Sequence, residues 1–169
     1  MATATAPRLV LSPCGTSALT NGSTSDERSL LNRHSNTKTQ EDLGADRTLV
    51  QARVDAVRSR MNSAGAADAR RTSAELNGIL TLCDEEPPGS RYHHILLCTD
   101  TWLGEQTGRI VEEWLRSHGH TSVELRRQSD LQTADLQLFQ SALSDLVHWL
   151  GPTLDGYRQQ GYRILFNLT

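Results

Sequence analysis

The run Leu9-Val10-Leu11-Ser12-Pro13-Cys14-Gly15-Thr16-Ser17-Ala18-Leu19-Thr20-Asn21-Gly22 decides the fold, because it passes from apolar residues straight into a loop of glycine and small hydroxyls. The apolar part predicts a first strand over Arg8 to Leu11, with the polar part as the loop that leaves it. In an open α/β sheet, ligands bind in the crevice beyond the carboxyl ends of the strands, so this loop is a candidate site. A plain connecting loop is the competing reading.

Three later segments repeat the theme. His94 to Cys98 is a continuous apolar run bounded by turn residues, the pattern of a central parallel strand covered on both faces. Tyr162 to Thr169 reads as another buried strand, and Ser122 to Arg126 alternates as a strand nearer an edge. Between them, Leu103, Thr107, Ile110, Val111, Trp114, Leu115 and His118 trace one face of a helix closed by Gly119, with Thr101 or Asp100 as its N-cap. Gly104 and Gly108, one turn apart, let that helix lie close to a neighbouring backbone. Asp135 to Leu150 predicts a helix with Leu136, Phe139, Leu143, Leu146, Val147 and Leu150 on its apolar face, and Pro152 to Gln160 a separate short helix that starts at proline. The alternation of strand and helix predicts an α/β fold, a Rossmann-like parallel sheet flanked by helices.

Residues 26 to 90 form a helical insertion after strand one. A short helix spans Asp26 to His34, and a polar excursion follows over Ser35 to Gly44. Asp46 to Met61 carries Val50, Val54, Val57 and Met61 at helical spacing, with Arg53, Arg58 and Arg60 as a solvated face. Ala66 to Asp84 repeats the pattern with Leu76, Ile79, Leu80 and Cys83, and residues 84–89 stop it with two prolines. The pair is expected as an inserted helical hairpin. Met1 to Pro7 is a small, polar, fraying end.

At 169 residues the chain fits a single domain. Its net charge of −3 and pI near 6.0 exclude a chain-wide field for long nucleic acids, so recognition of an anion must be local. Cys14, Cys83 and Cys98 are too scattered for a zinc site and read as reduced thiols. No basic leader and no apolar window of about 18 residues occurs, which excludes a signal peptide and a membrane partner and points to the cytoplasm. His93 with His94, and His118 with His120, are expected at the surface, not as metal ligands. No metal and no cofactor are expected. The nucleophile-elbow serine, phosphate-loop, dinucleotide and zinc-protease motifs are absent. Because a buried parallel strand is rarely a last element, the chain is expected to be a fragment. What remains is three strand ends bearing small polar groups: Cys14 to Asn21, Thr99 to Thr101, and Asn167 with Thr169. Hydroxyls, amides and backbone N–H groups of this kind suit phosphate and ribose oxygens.

These segments resemble the CRISPR-associated Rossmann-fold (CARF) domains. Ser12-Pro13-Cys14-Gly15-Thr16-Ser17-Ala18-Leu19-Thr20-Asn21 is similar to the first-strand loop of that family, while Thr99-Asp100-Thr101 with Gly104, and Ile164-Leu165-Phe166-Asn167-Leu168-Thr169, resemble its second-strand and fourth-strand segments. The glycine-rich loop with lysine that follows in the family, and any attached effector, are expected to be absent from this chain. The resemblance implies the sensor part of a type III CRISPR ancillary effector, a homodimer binding a cyclic oligoadenylate, cyclic tetra- or hexa-adenylate, across its twofold axis. Mapped by position, it implies ligand contacts from Cys14, Gly15, Thr16 and Ser17, loop support from Asn21, a second wall at Thr99, Asp100 and Thr101, and an approach near the axis by Asn167 and Thr169. An isologous interface suits a cyclic ligand, since each half repeats the same contacts. Arg28 and His34 fit the loose arginine-to-histidine spacing of HEPN ribonucleases but lie in the insertion. Three readings therefore stand open: a ring sensor that regulates an effector, a ring nuclease that degrades the messenger, and an α/β interaction module with no ligand.

Overall fold

The computed structural model describes residues 6–83, 91–130 and 136–168. Its four strands are β1 (Arg8–Cys14), β2 (Tyr92–Thr99), β3 (Ser122–Gln128) and β4 (Arg163–Phe166), all parallel, in the spatial order β3-β2-β1-β4. The helices are α1 (Ser17–Thr20), α2 (Ser25–Arg33), α3 (Arg47–Asn62), α4 (Ala66–Thr72), α5 (Ala74–Leu82), α6 (Trp102–Ser117) and α7 (Leu136–Gln159), with a 3-10 turn at Glu41–Asp46. This is the expected Rossmann-like α/β arrangement.

Strand periodicity builds two cores. Leu9, Leu11, Ile95 and Leu97 face Leu146, Trp149, Leu150, Leu154 and Tyr157 of α7. Their neighbours Val10, Cys14, Leu96 and Cys98 face the other way, into a larger cluster with Val50, Val54 and Val57 of α3, Leu76 and Ile79 of α5, and Ile110 and Trp114 of α6. Central strands covered on both faces need the continuous apolar runs that β1 and β2 carry. The helices of the insertion are thus a layer of the main core. Arg53 donates to the Leu19 carbonyl at 2.9 and 3.1 Å, and Arg58 pairs with Glu113 at 3.1 Å, so these two arginines tie helices together and do not form a solvated face.

Several sequence expectations are corrected. β1 runs on to Cys14, pairing with β2 through Cys14 opposite Cys98. The stretch from Ala66 breaks at Ser73, whose extended backbone ends α4 and whose hydroxyl caps α5 by accepting the Leu76 N–H at 3.2 Å. Helix α7 continues through Pro152. His148 and Pro152 are both exposed there, so the carbonyl that loses its N–H partner faces water and the interruption is tolerated. The packed face of α7 is the one bearing Leu146, Trp149, Leu150, Leu154 and Tyr157, which leaves Leu136, Leu143 and Val147 exposed. β4 is an edge strand with Phe166 46% exposed, not a buried one, because among the described residues it pairs with β1 alone. Finally, His94 and His120 are 0% and 3% exposed, their rings joined by a 2.9 Å Nε2 to Nδ1 hydrogen bond in the core. His94 points to the helix-covered face of β2, which has no solvent side.

Candidate functional site at the strand switch point

The chain moves from β1 to β2 and β3 on one side, then returns through α7 to place β4 on the other side of β1. The carboxyl ends of β1 and β4 therefore flank the point where strand order reverses, the position at which open α/β sheets bind ligands. Three of the sequence-predicted segments end there or one strand away.

The loop after β1 is held by a residue the sequence reading missed. The Gly15 N–H donates to Glu75 Oε1 at 3.0 Å, and the Ser17 hydroxyl donates to Glu75 Oε2. Ser73 donates to the same Oε2 at 2.6 Å, while Ser17 accepts the Ala74 N–H at 3.0 Å. Glu75 is 3% exposed, and its backbone carbonyl accepts Asn167 Nδ2 at 2.9 Å. The Asn167 N–H in turn donates to the Leu11 carbonyl at 2.9 Å, so Asn167 ties the end of β4 to both β1 and α5. Gly15 and Ser17 are thus brought to the buried Glu75 carboxylate, and Asn167 to the backbone carbonyl of the same residue. Asn21 lies further off, its amide donating to the Thr72 carbonyl at 3.1 Å, which braces the loop against α4. Thr16 precedes α1 without a side-chain capping bond.

The second wall is the turn from β2 into α6. Thr101 is the N-cap, its hydroxyl accepting the Gly104 N–H at 3.2 Å and lying 2.8 Å from that of Thr99. Gly104 is required for this approach, since a Cβ there would sit 2.1 Å from Thr99 Oγ1. Asp100 points away from the β1 loop, accepting Lys38 Nζ at 2.5 Å, while Asp130 accepts the same ammonium at 3.2 Å. Burial works against the Lys38 charge, but these two carboxylates outweigh it and raise its pKa. The Trp102 N–H donates to the Thr37 carbonyl at 2.8 Å, so the polar excursion after α2 is pinned across the end of β2.

Cys14 is buried, and burial followed by the Glu75 charge and then Cys98 push its thiol well up, which disfavours the thiolate. Cys98 is pushed up to about 11 by burial first and Glu105 second. Cys14, Cys83 and Cys98 are all buried. Thr169 lies outside the described residues. His34, buried at the end of α2, bonds Asp46 at 2.9 Å and Thr37 at 3.3 Å, while Arg28 is exposed. Among the described residues no cluster of three or more His, Cys, Asp or Glu side chains could hold a metal, and no helix is long and apolar enough to cross a membrane.

Two signals for the missed residues are visible in retrospect. Ser73-Ala74-Glu75 is a capping serine with an acid in the first helical turn, and Lys38 is the one lysine of a chain that otherwise uses arginine.

No curated protein matches this chain. The pattern defining the family described as CRISPR-associated protein (Cas_APE2256) matches residues 70–169, more than half of the sequence. The matched part takes in Ser73 and Glu75, the β2 turn and the end of β4, and leaves out the β1 loop. The chain therefore belongs to this family of CRISPR-associated proteins, with a role in CRISPR defence.

Proposed function

We propose that the chain is a CARF-type sensor that binds a cyclic oligoadenylate, cyclic tetra- or hexa-adenylate, across a homodimer and so regulates an effector. The observation that supports this most is the convergence of the β1 loop, the β2 turn and Asn167 at the carboxyl edge of the sheet around its switch point. The backbone N–H, hydroxyls and amide on offer there suit phosphate and ribose recognition. Membership of a CRISPR-associated family agrees with a messenger made during that defence.

Calorimetry of the full chain with each ring tests the reading. Binding at one ring per dimer is expected, and a Thr16→Ala/Ser17→Ala double variant should weaken it by about tenfold or more, the loss of one or two hydrogen bonds to an anion. Absence of binding heat, or an affinity untouched by the double change, would overturn it. Appearance of linear products after long incubation would move the assignment to ring nuclease.

A further inference from the structure

We propose that the Glu75 carboxylate is the resident occupant of an anion seat, and that a phosphate of an incoming ligand takes this seat by displacing it. For the identity of the ligand this rests on the reading above; the seat itself rests on geometry. Three donors converge on the carboxylate: the Gly15 N–H on Oε1, and the Ser17 and Ser73 hydroxyls on Oε2. The Ser17 oxygen already accepts the Ala74 N–H, which commits its proton to Glu75, and the Ser73 oxygen accepts the Leu76 N–H with the same result. A seat with three committed donors is complementary to an anion of any origin, carboxylate or phosphate.

Displacement is feasible because the loop that supplies two of the three donors lies at the surface, with Gly15 exposed and Thr16 and Ser17 half-buried. A Cβ placed on Gly15 would lie 3.6 Å from Glu75 Oε1, an ordinary contact, so the loop is not compressed against the carboxylate. Asn167 holds the end of β4 on the Glu75 backbone carbonyl, so the residue whose side chain exchanges also anchors that strand.

The test is a titration of the uniformly labelled full chain with inorganic phosphate, followed through the Gly15, Thr16 and Ser17 amide resonances. If the vacated seat is populated at one to ten per cent, removing the resident anion strengthens phosphate binding by about 10- to 100-fold. Glu75→Ala should therefore show phosphate-dependent shifts confined to this loop at concentrations that leave the wild type unmoved. Glu75→Gln keeps the shape and the Gly15 bond, and should respond between the two. Equal responses in wild type and both variants, or none in a folded variant, would overturn the proposal. Should neither variant fold, the wild type decides: cyclic tetra-adenylate must shift the Glu75 side-chain carboxyl carbon, and ring binding that leaves that signal in place refutes the exchange. Phosphate uptake by Glu75→Ala with no ring bound by any form would uphold the seat and reject the ring as its ligand.

Discussion

Replacing His94 by phenylalanine should flatten the acid dependence of stability by an amount set by the burial of one ring. His94 lies in the core, 2.9 Å from His120, and its Nδ1 has no hydrogen-bond partner among the described residues. Placing the shared proton on His94 Nε2, as donor to His120 Nδ1, leaves a bare acceptor unpaired, cheaper than an orphaned N–H. Burial, reinforced by His120 and His93, lowers the His94 pKa from 6.5 to about 3; burial, reinforced by His118, lowers that of His120 to about 4. Since both folded values lie below the unfolded one, the unfolded chain takes up protons that the native state refuses. The stabilisation is complete above pH 6.5 and is lost as pH falls toward 4. Between pH 7 and pH 5 each ring then withdraws about 2 kcal/mol, and the pair about 4 kcal/mol. Urea unfolding followed by circular dichroism at the two pH values measures this. His94→Phe removes one titration, so its loss over the interval should be about 2 kcal/mol smaller than in the wild type. The variant starts lower at both pH values, because the His120 acceptor is left unpaired, and only the difference carries the test. Identical differences in the two proteins would refute the argument.

Gly104→Ala should lower stability by about 1–3 kcal/mol despite the better helix propensity of alanine, because its Cβ meets Thr99 Oγ1 at 2.1 Å and breaks the Thr99–Thr101 bridge; a gain in urea midpoint would contradict this. Pro152→Ala should stabilise α7 by up to about 3 kcal/mol by restoring a backbone donor, read as a higher melting temperature. Thr24→Ala removes one half of the capping box with Glu27 and should cost about 1 kcal/mol in urea unfolding, leaving the site untouched. Alkylation of the native protein should be slow at all three buried cysteines, with fast labelling only after unfolding.

Local periodicity made much of the fold legible. The apolar positions of α3 and α6, the Thr101 cap and the runs of β1 and β2 each depend on residues close in sequence, and the structure bears them out, with β1 extended to Cys14. Legibility failed where a neighbour distant in sequence decides the outcome. Pro152 reads as a helix start, yet it continues a helix whose exposed side tolerates the missing N–H. His94 reads as a surface residue at a strand start, yet α-helical cover on that face of β2 buries it. β4 carries the composition of an inner strand, and only strand order makes it an edge.

The β1 loop shows the same division. Its glycine and hydroxyls, taken alone, determine that polar groups follow the first strand at the carboxyl edge of a parallel sheet, because the apolar run and the turn residues are contiguous. What those groups bond to was decided by tertiary structure. Glu75 is 60 residues from Gly15, and Asn167 is 92 residues from Glu75. Only the packing of α5 against β1 and the return of β4 beside it bring a carboxylate and an amide to the loop. Hydrogen bonds between such distant residues depend on how layers stack, which no local pattern encodes.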